Sequence, residues 1–213
     1  MPRPLVLFAP GAGAPSTSPW MAGWARRLAT IGEVVRFDYS YAKEGRRRPD
    51  PLHVLISAHR EALEQARAQQ GRGPVILAGK SMGSRVGCHV SLESAVSALV
   101  CLGYPLVGAR GSVRDEVLLA LGTPILFVQG TRDPLCPLER LEDVRRRMQA
   151  PSALHVVEDG DHSLLVTKKR LAARGSTQEE MDRAALEAIR AFLQRYAGAG
   201  ATAKVRRSRV SRA

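Results

Sequence analysis

Six short apolar runs punctuate the chain: Leu5–Ala9, Val34–Asp38, Val75–Ala78, Ala98–Leu102, Pro124–Val128 and Leu154–Glu158. Each is too short for a helix of ordinary length, and most are continuous rather than alternating, as expected of strands covered on both faces. Helical periodicity lies between them. Leu52, Leu55, His59, Ala62, Leu63 and Ala66 form one stripe, and Met181, Ala185, Ile189, Phe192 and Tyr196 form another. The second stripe is introduced by Thr177-Gln178-Glu179-Glu180, the pattern of a capping box. Strand and helix alternating within one domain predict an open, mostly parallel six-stranded sheet flanked by helices, with right-handed crossovers. Ligands of such sheets bind beyond the carboxyl ends of the strands, so each loop that follows a strand is a place to look for chemistry.

The loop after the third strand holds Gly79-Lys80-Ser81-Met82-Gly83, and a helix-like stretch follows through Leu92. This is G-x-S-x-G in a strand–turn–helix setting, which presents a serine on a strained turn at the N-terminus of a helix. Two phosphate-binding readings fail on the residues. A Walker A loop ending at Gly79-Lys80-Ser81 needs a glycine at position 74, which is Pro74, and a loop where Val75–Ala78 reads as strand. Gly11-Ala12-Gly13 begins a dinucleotide fingerprint, but Ser16 stands at the third glycine position and Pro15 interrupts the turn.

A serine hydroxyl needs a base. Of five histidines, His53 and His59 lie on or beside a helical stripe, His89 is two turns into the helix after Ser81, and His155 falls inside the last strand. His162 alone sits in a loop just past a strand, and it follows Ser81 in chain order. The base in turn needs an orienting acid, expected between serine and histidine in the chain. Asp133, in Gly130-Thr131-Arg132-Asp133-Pro134 after the fifth strand, meets that requirement better than Asp159 or Asp161, which are too near His162 in sequence to face its ring squarely. An oxyanion hole takes one backbone N–H from the residue after the nucleophile, Met82, and another from the loop after an early strand. Pro10-Gly11-Ala12-Gly13-Ala14-Pro15 suits the second donor, with Ala12 as the candidate and Gly11 and Gly13 lining the substrate path. Lys80 either meets an anionic substrate or extends to solvent. Tyr104 either lines the pocket or packs in the core. Trp20 and Trp24, four apart on one helical face, are expected to pack. Cys136 reads as a packing thiol. No metal site or cofactor is expected.

With these residues in place the chain resembles the α/β-hydrolase superfamily. Within it, Ala9-Pro10-Gly11-Ala12-Gly13-Ala14, Phe37-Asp38-Tyr39, Ala78-Gly79-Lys80-Ser81-Met82-Gly83-Ser84-Arg85 and Gly130-Thr131-Arg132-Asp133-Pro134 resemble the testis-expressed-protein-30-like hydrolases, a group related to the hydrolase-like domain of NSL complex subunit 3. The resemblance implies a single-domain minimal α/β-hydrolase whose strands run second, first, third, fourth, fifth, sixth across the sheet. It also implies Ser81, Asp133 and His162 as nucleophile, acid and base. Pro10 stands where a histidine often precedes the first oxyanion glycine, which argues against lipase-like activity.

Only Gly103–Thr123 separates the fourth and fifth strands, so no substantial lid is expected and the site should be open. Residues 1–197 are read as the hydrolase domain and 198–213 as a basic, flexible C-terminal tail. The net charge of +12 concentrates in three places. The tail carries five bases and no acid, the Ser163–Ser176 loop four bases and no acid, and Lys43–Asp50 four bases against two acids. The remaining chain is close to neutral. With only 5% aromatic residues and no basic face interleaved with them, a nucleic-acid partner is not expected. A protein partner could use the basic loops or tail. The chain has no run of 18 apolar residues, its start at Met1-Pro2-Arg3-Pro4 lacks a signal-peptide core, and its three cysteines are an odd number. A cytoplasmic setting, reduced thiols and no membrane are therefore expected. The predicted function is hydrolysis of a small acyl substrate (carboxylic ester, thioester or activated amide) through an acyl-enzyme. The alternative is an idle hydrolase fold serving as a binding or scaffold module.

Overall fold

A computed structural model describes residues 3–70, 73–108 and 111–197. The expected tail therefore lies outside the described residues. The sheet is six-stranded and parallel throughout, in the order β2-β1-β3-β4-β5-β6. Its strands are β1 (Leu5–Ala9), β2 (Glu33–Arg36), β3 (Val75–Lys80), β4 (Ala98–Leu102), β5 (Ile125–Gly130) and β6 (Ser152–Val157). The helices are α1 (Pro19–Leu28), α2 (Ser40–Lys43), α3 (Leu52–Gln70), α4 (Met82–Glu93), α5 (Glu116–Leu119), α6 (Leu138–Arg147), α7 (Lys168–Ala173) and α8 (Gln178–Tyr196).

The continuous apolar runs have a direct cause. Alternate residues of each central strand enter different cores: Leu5, Leu7, Leu77, Leu99, Cys101 and Phe127 face one layer with α3, α4, α5 and α6. Val6, Phe8, Ile76, Ala78, Val100, Leu102, Leu126 and Val128 face the other, where Met21, Trp24 and Leu28 of α1 and Ala185, Ile189, Phe192 and Leu193 of α8 close over them. Each of the large aliphatic and aromatic side chains among them stabilises the fold by about 1.5–3 kcal/mol on burial, so both faces of the central strands are mainly apolar. The edge strands β2 and β6 are only partly buried. Helix α8 begins with the capping box read from the sequence, the Thr177 hydroxyl accepting from Glu180 N and the Glu180 carboxylate accepting from Thr177 N.

Two sequence expectations change. The Ser163–Ser176 segment is not a simple loop, because residues 168–173 form α7. Its basic charge is also partly matched: Arg170 pairs with Asp159, and Arg174 with Asp159 at 2.9 Å. Between β4 and β5 the described residues hold the single α-helical turn α5, and the domain has no lid among them. All six strands run the same way, so their carboxyl ends share one sheet edge, where the loops carrying Ala12, Ser81, Asp133 and His162 converge.

Candidate active site

The turn from β3 into α4 is held by its glycines. A Cβ on Gly79 would stand 2.3 Å from Ser84 N, and one on Gly83 would stand 2.6 Å from the carbonyl oxygens of Ala9 and Pro10. Only hydrogen at both positions lets the helix start so close to the strand ends. Between them Ser81 takes φ 50° and ψ −115°, a conformation that L-residues rarely adopt and that costs on the order of 1–3 kcal/mol. Ser81 N donates to Leu102 O at 3.1 Å, and the Ser84 hydroxyl closes the turn on Gly79 O at 2.7 Å.

At this turn Ser81 Oγ lies 2.7 Å from His162 Nε2, and His162 Nδ1 lies 2.7 Å from Asp133 Oδ2. An ionised carboxylate can only accept, so Nδ1 carries the ring proton and donates it to Asp133. Nε2 is then free to accept from the serine hydroxyl. Asp133 is buried, while the His162 side chain is one-quarter exposed and lines the cleft. The other histidines lie elsewhere. His59 is fully buried against the Tyr39 hydroxyl, and burial pushes its pKa down to about 3, which keeps it neutral.

Asp133 is positioned by more than the histidine. Leu135 N donates to its Oδ1 at 2.8 Å, and the buried Gln129 amide donates to Oδ2. Gln129 in turn accepts from Tyr104 N at 2.9 Å. Gln129 was not singled out from the sequence, where its available signal was one amide side chain directly after the apolar Ile125–Val128 run. Tyr104, one of the two readings left open, requires a correction: its side chain is fully buried edge-on against Phe127, with ring centroids 5.6 Å apart, and it lines no part of the cleft. Its contribution is the backbone N–H that steadies Gln129.

The His162 loop is held by two side chains from distant elements. Lys80 Nζ donates to His162 O, and Trp20 Nε1 donates to the next carbonyl, Ser163 O, at 2.8 Å. The ammonium also sits 5.5 Å from the Trp20 ring centroid, within cation–π range. Trp20 therefore adds a hydrogen bond to the packing expected of it, being partly buried against the core beside Phe8 and Trp24, and Trp24 is buried in the core as expected. Asp161 Oδ1 accepts from Ser163 N and Leu165 N, bracing the same loop from within.

A cleft of 410 Å³ opens over Ser81 and His162, lined also by Gly11, Ala12, Gly13, Trp20, Lys80 and Leu135. Gly11 brings the first loop against Ser81: a Cβ there would lie 3.5 Å from Ser81 Cβ. That loop is tied down from β2 and beyond, since Asp38 accepts from both Ser16 N and the Ser16 hydroxyl, and the Tyr41 hydroxyl donates to Ala12 O at 3.3 Å. Met82 is the first residue of α4, where a backbone N–H has no partner four residues back. Cys136 is buried and burial raises its pKa to about 12, so it remains a neutral packing thiol. Among the described residues no cluster of three or more His, Cys, Asp or Glu is arranged to hold a metal ion. No helix there is long and apolar enough to cross a membrane.

A parallel sheet in this strand order, with a serine on the turn into a helix, defines the α/β-hydrolase fold. The family model described as an alpha/beta hydrolase domain matches residues 2–194, and the chain belongs to that family. Solved structures agree in fold. An alpha-beta serine hydrolase homologue from Coxiella burnetii superposes with a TM-score of 0.66 at 20% identity, over 85% of this chain and 84% of that one. A lidless serine hydrolase from Xanthomonas campestris gives 0.65 at 19% identity, over 92% and 81%. In sequence, 106 residues are 33% identical to protein sumv-2 of Caenorhabditis elegans. They make up 48% of this chain and 9% of that much longer relative.

Proposed function

We propose that the protein is a carboxylesterase-like serine hydrolase that cleaves an ester, thioester or activated amide of a small acyl group. The observation that carries this reading is the unbroken hydrogen-bonded series Ser81–His162–Asp133 at the floor of an open cleft. As Ser81 Oγ attacks the substrate carbonyl carbon, its proton passes to His162 Nε2 and the carbonyl π electrons move onto oxygen. Asp133 stabilises the resulting imidazolium and holds the ring in the tautomer that can accept. The N–H groups of Met82 and Ala12 are assigned to the oxyanion, each such donor being worth about 3 kcal/mol. Collapse of the tetrahedral intermediate breaks the bond to the leaving group, which takes the proton from His162. A water molecule then gives a proton to His162 and its oxygen to the acyl carbon, releasing the acid and restoring Ser81. Structural neighbours described as serine hydrolases support the reaction class.

Within the family we place the chain with the testis-expressed-protein-30-like group, on the motif stretches around Gly11, Asp38, Ser81 and Asp133. The catalytic unit is assigned to residues 1–197, with 198–213 as an appendage that turnover does not need.

An active-site fluorophosphonate tests the reading. Covalent labelling at Ser81 is expected, absent in Ser81→Ala and sharply reduced in His162→Ala. Failure to label folded protein would overturn the enzyme in favour of a binding module.

A further inference from the structure

We propose that the cleft accepts an acyl group bearing a carboxylate a few bonds from the scissile carbonyl, with the Lys80 ammonium as its counter-charge. This rests on Ser81 acting as the nucleophile. Lys80 directly precedes Ser81, lines the same cleft and is only 9% exposed. Among the described residues no carboxylate oxygen lies within 4 Å of its Nζ, so this buried cation has no ion-pair partner. Burying a charge without a counter-charge is costly. One of its three N–H groups goes to His162 O, and the Trp20 ring supplies a face but no anion.

The titratable groups that act on Nζ are Asp133 and Asp161, with His162 meeting it through its backbone carbonyl, and both carboxylates are already engaged. Asp133 accepts from His162, Gln129 and Leu135 N, and Asp161 accepts from Ser163 N and Leu165 N. The rest of the cleft wall (Gly11, Ala12, Gly13, Ala14, Met21 and Leu135 among others) contains no carboxylate. Lys80 is itself part of that wall, so the counter-charge its ammonium lacks can come from a molecule held in the cleft. The leaving group takes its proton from the one-quarter exposed His162, which sets the charge on the acyl part, beside the more deeply buried Lys80.

Burial lowers the Lys80 pKa to about 8, with Asp133 and Asp161 opposing the shift. The cation is thus present at pH 7 and lost as pH rises through about 8. Because this titration belongs to the free enzyme, it appears in kcat/KM.

The experiment compares monoethyl succinate with ethyl butyrate by proton release at constant pH, using the full chain. At pH 7 the anionic ester is expected to have at least a tenfold higher kcat/KM, a preference that declines above pH 8. In Lys80→Met both esters slow through loss of the bond to His162 O, but the ratio between them should fall to near unity. If that variant does not fold, the pH dependence of the wild-type ratio decides. Equal kcat/KM for the two esters, or a ratio unmoved in folded Lys80→Met, overturns the assignment. If neither ester turns over, succinate should protect Ser81 from fluorophosphonate better than succinamide, and equal protection also overturns it. A protein that labels at Ser81 without anion preference loses only this inference, whereas one that does not label loses the nucleophile as well.

Discussion

The two halves of the candidate site are built on opposite plans. The serine half is local: Gly79, Ser81, Gly83 and Ser84 fix the turn with contacts inside six residues and against the adjoining strand ends. The histidine half is assembled from afar. His162 is 29 residues from Asp133 and 81 from Ser81, and its loop carbonyls are held by Lys80 and by Trp20, which is 143 residues from Ser163. A local plan tolerates no change at its few positions. A distributed plan spreads positioning over several contacts, each of which can be removed with a smaller penalty.

The contrast concerns the residues that position the site; removing one of the assigned catalytic groups themselves, Asp133, is expected to have the largest effect. Asp133→Asn should keep the fold yet lower kcat by roughly 10⁴, because an amide no longer selects the tautomer that accepts from serine. Steady-state ester kinetics, with circular dichroism to confirm folding, measure it. Next comes Gly79→Ala, whose Cβ must push α4 away from β3. A displacement on the order of 1 Å at the nucleophile should cost about 10² in kcat/KM, with a lower Tm. On the distributed side, Gln129→Leu removes one hydrogen bond from Asp133 and should lower kcat about tenfold at nearly unchanged KM. Trp20→Phe keeps most of the ring but loses the bond to Ser163 O, for which a fall in kcat of about threefold is expected. Equal losses for Gly79→Ala and Trp20→Phe would erase the distinction between the two halves.

The same contrast explains what could be read in advance. The strands, the turn at Ser81 and the loop positions of Asp133 and His162 were legible because each leaves a residue-type signal: an apolar run, a glycine pair, or a titratable residue just past a strand, whereas the order of the strands across the sheet came from the family resemblance alone. Gln129 and Trp20 were not legible as positioning groups. Their partners are largely backbone atoms, which every residue carries, so nothing in the sequence marks the receiving end. Tyr104 could not be placed for a related reason. A tyrosine suits a pocket wall and a core equally, and only its edge-on packing against Phe127 decides between them. The basic segment after His162 looked free of counter-charge because Asp159 and Glu158, which Arg174 reaches, precede the stretch in which its bases were counted.

The backbone of Ser81 carries a further consequence. Its φ of 50° with ψ of −115° is one that glycine adopts with little penalty and serine does not. Ser81→Gly is therefore expected to melt above the wild type, by an amount set by the on the order of 1–3 kcal/mol stored there. Ser81→Ala, which retains a Cβ, should not share that gain. Proposed chemistry and thermal robustness pull in opposite directions at this residue, and a search for heat-tolerant variants would tend to discard the hydroxyl assigned as nucleophile.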